Sequence, residues 1–255
     1  MTPAEALSLG DREVISLVGG GGKTALMYAL GRELSARGGV IVTTTTRIRE
    51  PEPAPIRLQF LSEDLLQVGN WVAENADRKV ALLVARRRLP GGKLEGIPPG
   101  WVDMLSRREE VSTIVVEADG SAGRPLKAPR EGEPVIPQSS TLLVPVMGID
   151  GMGRPLDEAW VFRSAIAARL LDLPPGSTVT EEAAARLMRA LLKDAPPGSR
   201  VVPVINKIDL PGGREKALRL ARYLLSMDPG IGKVILCRLR ESSDVEVIAS
   251  GLLPR

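Results

Sequence analysis

The chain has 255 residues, a formal net charge of +3 and only 3% aromatic residues. This length suits one large α/β domain over residues 1–255, and the scarcity of aromatic stacking platforms argues against nucleic-acid binding. Histidine is absent and Cys237 is the lone cysteine, which excludes a Ser-His-Asp hydrolase, a His-ligated zinc site and an intramolecular disulfide. Because no apolar run is long enough to span a membrane and residues 1–6 lack an export signal, we expect a cytoplasmic protein without membrane contact.

A candidate phosphate-binding loop follows the first predicted strand, residues 14–18. Its six residues are Gly19, Gly20, Gly21, Gly22, Lys23 and Thr24. Glycines allow a tight turn that directs backbone N–H groups toward an anion, and residues 25–37 carry apolar side chains at helical spacing. Lys23 would reach the β- and γ-phosphates, and the Thr24 hydroxyl would hold Mg²⁺. The usual pattern G-x-x-x-x-G-K-[ST] would place its first glycine at Leu17, so a flexible loop with an incidental Gly-Lys-Thr is the alternative.

Strand-like and helix-like patterns alternate along the rest of the chain. We predict strands at residues 40–43, 80–84, 113–117, 141–146, 201–205 and 233–236, and helices at residues 61–75, 101–108, 158–171, 181–193 and 214–226. The near-continuous apolar strands predict a three-layer, doubly wound, mostly parallel sheet resembling that of P-loop NTPases. The polar segment 119–140 has no clear periodicity, and we expect a functional or disordered loop there.

Four threonines and an arginine, Thr43, Thr44, Thr45, Thr46 and Arg47, follow the second predicted strand. One interpretation is a switch-like segment in which a hydroxyl of Thr44 or Thr45 meets Mg²⁺ or a γ-phosphate oxygen. Arg47 would then neutralise developing charge. The other interpretation is that these β-branched residues simply extend the strand.

The predicted strand 113–117 ends in a carboxylate, Glu117, and Asp119 and Gly120 come directly after it. An acid at this edge can bind Mg²⁺ near Thr24, directly or through water. Lys23, Glu117 and Asp119 are therefore the candidate catalytic residues. The pattern leaves open which of the two binds the metal. The N–H of Gly120 can approach a γ-phosphate.

The segment after Gly120 contains the cations Arg124 and Lys127 between two prolines. We interpret it as an ordered loop over an anionic ligand, with a solvated loop as the alternative.

The predicted strand 201–205 ends in N-K-x-D, at Asn206, Lys207 and Asp209. A carboxylate at Asp209 can accept from both N1–H and the exocyclic amine of guanine, whereas adenine offers no such pair of donors. The Asn206 amide can bond the base or tether the phosphate loop, and the Lys207 stem can lie along the ring. These residues favour GTP, with ATP as the alternative nucleotide.

Several runs together resemble the YqeC family. They are V-G-G-G-G-K-T at residues 18–24, V-T-T-T-T-R-I at 42–48, V-E-A-D-G-S at 116–121, R-P-L-K-A-P at 124–129, E-P-V-I-P at 133–137 and N-K-I-D at 206–209. The resemblance implies an accessory protein for selenium-dependent molybdenum hydroxylases, also described as selenium cofactor biosynthesis. It therefore implies a molybdenum hydroxylase or another maturation protein as the partner.

A looser similarity links the strand-end Glu117 and the N-K-x-D run to GTPases that deliver nickel to hydrogenase and urease. Those proteins use metal-binding His and Cys residues. This chain has no His and one Cys, which argues against metal carriage.

Three functions fit these patterns. The first is a Mg²⁺-dependent nucleotide-hydrolysing maturation factor. The second is a phosphoryl or nucleotidyl transferase acting on a small selenium- or molybdopterin-related acceptor. The third is a non-catalytic module that uses the nucleotide only for assembly.

Overall fold

A mostly parallel ten-stranded sheet forms the centre of the computed structural model, which describes residues 1–50, 55–239 and 245–249. The strands in the described residues are β1 (Glu13–Gly19), β2 (Val40–Thr44), β3 (Arg47–Arg49), β4 (Leu58–Leu61), β5 (Leu82–Ala85), β6 (Arg87–Leu89), β7 (Lys93–Glu95), β8 (Thr113–Glu117), β9 (Leu126–Lys127), β10 (Leu142–Gly148), β11 (Val161–Phe162), β12 (Arg200–Val201), β13 (Val204–Asn206), β14 (Lys233–Cys237) and β15 (Val245–Ala249). In the large sheet their order is β15-β14-β13-β10-β1-β8-β2-β5-β4, with β12 beside β10. The pairing of β14 with β15 is antiparallel and the other pairings in this sheet are parallel.

Seven α-helices accompany the strands in the described part of the chain. They are α1 (Pro3–Leu7), α2 (Lys23–Leu34), α3 (Leu65–Asn75), α4 (Pro99–Leu105), α5 (Ser164–Leu171), α6 (Glu181–Ala190) and α7 (Gly213–Met227). Side-chain caps define several starts: the Thr2 and Thr180 hydroxyls and the Asp64 carboxylate accept N–H groups of the first turn. None of the helices described has the length and hydropathy needed to cross a membrane.

The helices cover both faces of the sheet. Helices α1 and α2 pack on one face, whereas α3, α4, α6 and α7 pack on the other. The central strand β1 is buried along all seven of its residues, with Ile15 and Leu17 facing α2 and Val14 and Val18 facing the opposite layer. A strand covered on both faces needs apolar residues at successive positions, which is the pattern of its sequence. The predicted three-layer α/β fold is confirmed.

Most predicted elements are found with shifted ends; the helix predicted at 61–75, for example, begins at Leu65 because Leu61 belongs to β4. Two predicted elements differ more strongly. The strand predicted at 201–205 is divided into β12 and β13, because Pro203 has no N–H to donate to a neighbouring strand. The helix predicted at 158–171 begins only at Ser164. Residues 161–162 pair with β9 as strand β11, and Arg163 has a left-handed φ of 62° that a helix cannot include.

A separate three-stranded sheet, β3-β7-β6, was not predicted. Its strands have only three residues each, too few to give a recognisable alternation.

We predict that Leu30→Ala lowers the free energy of unfolding by about 2–5 kcal/mol, since Leu30 is fully buried between α2 and the sheet. Leu66→Ala is the matched control, because that leucine is 72% exposed on α3 and its truncation should change stability by no more than about 0.5 kcal/mol. Urea unfolding followed by circular dichroism measures both variants. Equal losses would contradict this packing of α2.

Candidate functional site

The carboxyl ends of β1 and β8 bring the predicted phosphate loop beside the predicted acids. The two strands are parallel neighbours, with Leu17 opposite Glu117 in the register. Residues that follow each strand therefore emerge at the same edge of the sheet, where α2 also begins. Ligand sites in open parallel sheets lie at this edge.

The glycine loop is held tightly by its neighbours. Gly20 N–H donates to the Val146 carbonyl at 2.9 Å, and Gly21 N–H donates to the Arg124 carbonyl at 3.0 Å. Gly21 has a φ of 73°, and a Cβ there would lie 2.0 Å from the backbone nitrogen of Gly148. The N–H groups of Gly20 and Gly21, which the sequence suggested as phosphate donors, thus donate to carbonyls of the protein instead. An anion would instead meet the N–H groups of the first turn of α2, which have no intrahelical partner.

Lys23 lies buried between two carboxylates. Its Nζ is 3.2 Å from Asp119 Oδ1 and 3.7 Å from Glu117 Oε1, and it donates to the carbonyl of Gly19. Its side chain is 1% exposed, and the residue lines the wall of a cleft. The ammonium is thereby held at the start of α2 before any ligand binds.

Thr24 and Glu117 form an oxygen pair beside the lysine. The Thr24 hydroxyl donates to Glu117 Oε2 at 2.7 Å. Burial raises the pKa of Glu117, and the nearby Lys23 ammonium and the Thr24 hydrogen bond oppose this shift only in part. Hydroxyl and carboxylate oxygens are ligands that suit Mg²⁺, and a cation here would compensate a poorly solvated carboxylate. The described residues contain no group of three or more acidic or cysteine side chains placed to hold a metal, so phosphate and water oxygens would have to complete the coordination.

Asp119 has a different environment from Glu117. Both of its carboxylate oxygens accept the Gly19 N–H at 3.0 Å, and Oδ2 lies 2.9 Å from Lys127 Nζ. The side chain is fully buried. Asp119 therefore ties the glycine loop to β9, on which Lys127 lies.

Asp119, Lys127, Glu133 and Arg163 form a charge chain that starts at the buried Asp119 and Lys127 and ends at the half-buried Glu133 and Arg163 on the cleft wall; we call it the buried charge chain after its inner pair. Lys127 Nζ is 2.7 Å from Glu133 Oε2, and Arg163 binds both oxygens of Glu133 at 2.6 and 2.8 Å. Burial alone would raise the pKa of Glu133, but hydrogen bonds from Arg163 and Lys127 outweigh it and lower the pKa to about 2. Sequence reasoning did not identify Glu133 or Arg163 as site residues, because their pairing spans 30 positions along the chain.

The N-K-x-D residues lie next to the glycine loop. Asn206 Nδ2 donates to the Gly21 carbonyl at 2.9 Å, so its amide tethers the loop, one of the two roles considered for it. Lys207 Nζ is 2.6 Å from Asp150 Oδ2. Asp209 is exposed in the cleft. The Sγ of Cys237, a buried residue of β14, lies 3.6 Å from Asn206 Oδ1. Burial and the nearby Asp209 carboxylate raise the pKa of this thiol to about 12.

The threonines after the second strand have different environments: some are buried in the protein and others line the cleft. The Thr44 hydroxyl is buried and donates to the Glu117 carbonyl at 2.7 Å, whereas Thr45 donates to the Val135 carbonyl at 2.7 Å and lines the cleft. Arg47 is exposed on β3, 3.4 Å from Glu95. Strand β2 includes Thr43 and ends at Thr44, so the strand interpretation holds for these two threonines but not for Thr45 and Thr46.

One cleft of about 1500 Å³ collects most of the predicted site. The predicted residues that line it are Gly21, Gly22, Lys23, Thr24, Thr45, Arg47, Glu117, Gly120, Asn206, Lys207 and Asp209. The predicted residues outside its lining are Gly19, Gly20, Thr44, Asp119, Arg124 and Lys127. Of these, Arg124 donates to the Glu158 carbonyl and Lys127 belongs to the buried charge chain, so neither reaches into the cleft.

Comparisons with known proteins match most of the chain. A family model described as YqeC protein matches residues 15–165. A curated relative from Escherichia coli (strain K12), Uncharacterized protein YqeC, is 34% identical over 209 residues, which cover 76% of this chain and 75% of the relative. The family match contains the glycine loop, Glu117 and the buried charge chain, whereas Asn206 and Asp209 lie beyond it.

We predict that Lys127→Met lowers the free energy of unfolding by about 3–5 kcal/mol, because it leaves the buried carboxylate of Asp119 and the half-buried carboxylate of Glu133 without their shared cation. Lys193→Met, at an exposed lysine, is the matched control and should change stability by no more than about 0.5 kcal/mol. Urea unfolding at neutral pH gives both values. A loss below about 1 kcal/mol for Lys127→Met would show that the chain does not depend on this ammonium.

Proposed function

The chain belongs to the YqeC family, and we propose that it is a Mg²⁺-dependent nucleoside triphosphatase that prefers GTP. The observation that supports this most directly is the convergence of Lys23, Thr24 and Glu117 at the start of α2, on the wall of the large cleft. A cation, a hydroxyl and a carboxylate at a helix N-terminus match the chemistry that triphosphate and Mg²⁺ require.

In this proposal Glu117, rather than Asp119, holds Mg²⁺ together with Thr24. Glu117 lines the cleft and contacts the Thr24 hydroxyl, whereas the carboxylate of Asp119 is occupied by the Gly19 N–H, Lys23 and Lys127. When bound, Mg²⁺ would neutralise phosphate charge. Lys23 would exchange its bond to the Gly19 carbonyl for oxygens of the β- and γ-phosphates, and Asp119 would keep the loop in place.

The guanine preference depends on Asp209, which is exposed in the cleft and has no ion pair among the residues described. Its carboxylate is available to accept from N1–H and the exocyclic amine. Asn206 supports this arrangement indirectly, since it fixes the glycine loop relative to the N-K-x-D turn. ATP is the alternative nucleotide.

For the biological role we propose maturation of selenium-dependent molybdenum hydroxylases in the cytoplasm. The support is the family resemblance of the loop, the E-A-D-G-S run and the R-P-L-K-A-P run. The partner would be the hydroxylase or another maturation protein, and nucleotide hydrolysis would drive a conformational change in the complex.

A phosphoryl or nucleotidyl transferase is the second candidate. The cleft volume of about 1500 Å³ favours it, because small-ligand sites usually occupy about 300–1,000 Å³. An acceptor molecule could therefore bind beside the nucleotide. A nucleotide product that forms only when an acceptor is present would decide for this reaction.

Calorimetric titration with GTP, ATP and CTP in Mg²⁺ tests the nucleotide assignment. We predict that the wild-type protein prefers GTP and that Asp209→Asn weakens GTP binding by about 10–100-fold, because a charge-assisted pair of hydrogen bonds is lost. The variant should gain affinity for xanthosine triphosphate, whose 2-oxo group accepts from the new amide. Asp194→Asn, an exposed aspartate outside the cleft lining, is the control. Equal affinity of the wild type for ATP and GTP would disprove the guanine assignment.

Phosphate release tests the proposed reaction. We predict slow Mg²⁺-dependent hydrolysis by the wild-type protein, reduced about a hundredfold by Glu117→Gln because the metal loses its carboxylate. Nucleotide affinity without Mg²⁺ should be nearly unchanged. Glu74→Gln, at an exposed glutamate on α3, is the control. Full activity in Glu117→Gln would exclude the proposed metal role, and nucleotide binding without hydrolysis under any partner condition would favour a non-catalytic module.

A further inference from the structure

Two cations face each other without compensation on the small sheet β3-β7-β6. Arg49 on β3 is directly opposite Lys93 on β7. Both side chains are exposed, and among the described residues neither has an ion-pair partner. Like charges at directly opposed positions of an antiparallel pair destabilise it. The sheet therefore keeps a repulsive pair at this position.

The neighbouring pair in the same register is compensated. Arg47 is opposite Glu95 and lies 3.4 Å from its Oε1, and Glu95 also binds Arg87 at 2.5 Å. In the small sheet, Arg47 is therefore opposite an acid, whereas Arg49 is opposite another cation. The described acids therefore leave the repulsion between Arg49 and Lys93 uncompensated.

Strand alternation directs these cations into the cleft. Ile48 and Leu94 lie between them in sequence and are buried against the main core, so Arg47, Arg49 and Lys93 share the opposite face of the small sheet. All three line the large cleft. Thr45 and Thr46 also line the cleft and connect Thr44, the last residue of β2, to β3.

The small sheet differs in charge from the rest of the cleft lining, where acids and cations occur together. Near the N-K-x-D turn, Lys207 is accompanied by the acids Asp150 and Asp209. On the small sheet the charged lining residues described are all cations. A volume of about 1500 Å³ leaves room beside a nucleotide for a second small molecule.

We propose that Arg47, Arg49 and Lys93 form a second anion-binding subsite, which takes a phosphate-bearing small molecule beside the nucleotide. An anion between Arg49 and Lys93 would turn their repulsion into two favourable contacts, and guanidinium and ammonium groups both bind phosphate well. The subsite rests on the proposed function for its role as an acceptor or effector site. It replaces Arg124 and Lys127, whose side chains are engaged away from the cleft.

Pyrophosphate is the probe that tests the subsite. The protein is first saturated with Mg²⁺ and a non-hydrolysable GTP analogue, and pyrophosphate is then titrated calorimetrically. We expect one additional binding event, weakened about tenfold by Arg49→Gln or Lys93→Gln and about a hundredfold by the double variant. Affinity should also fall as salt concentration rises. Arg222→Gln, at an exposed arginine of α7 outside the cleft lining, should leave pyrophosphate binding unchanged.

Folding and nucleotide binding are checked separately. Because each substitution removes one of two like charges, the melting temperature should stay the same or rise. Affinity for the GTP analogue should also stay the same in the double variant. Equal pyrophosphate affinity in wild type and double variant, or no additional binding event, would overturn the subsite while leaving the nucleotide site intact.

Failure of the proposed function gives a different result. If the GTP analogue does not bind to the wild type, the same pyrophosphate titration is run without nucleotide on the same variants. A loss in the double variant then supports the subsite on its own, and no loss overturns it.

Discussion

The buried carboxylate of Asp119 is the group on which the arrangement of the site depends. Moving a carboxylate out of water costs several kcal/mol unless charges and hydrogen bonds replace the lost hydration. Here the Gly19 N–H and the ammonium groups of Lys23 and Lys127 supply them. These partners come from β1, α2 and β9, so one side chain joins the glycine loop, the following helix and the segment after β8.

This requirement explains why the two acids after β8 have different environments. Asp119 is saturated with partners inside the protein, whereas Glu117 faces the cleft with a raised pKa and the Thr24 hydroxyl as its close neighbour. Lys23 is held in place by both. The cationic and oxygen groups that a metal-bound triphosphate needs are therefore positioned before a ligand arrives, so little ordering remains to be done on binding.

The cleft at this edge of the sheet is lined by chemically different groups. Asn206 fixes the N-K-x-D turn to the glycine loop, and Asp209 of that turn lines the cleft. Arg49 and Lys93 of the small sheet also line it. A cleft of about 1500 Å³ is larger than most sites for one small molecule, and the proposed subsite would use the space beside the nucleotide.

The amino-acid sequence was enough to predict the three-layer fold, the glycine loop before α2 and an acid after β8 near Thr24, but it left open whether that acid is Glu117 or Asp119. These features follow from local patterns: apolar runs that form buried strands, glycines before a helix, and acids where parallel strands end. The partners of the other charged side chains became known only from the folded structure. The sequence suggested that Arg124 and Lys127 contact a ligand, but Lys127 binds Glu133 and Arg124 donates to a backbone carbonyl. Arg49 and Lys93 lie opposite each other because their strands pair. A sequence shows which residues are charged. It does not show which residue each charge pairs with, because the partner depends on which distant segments pack together.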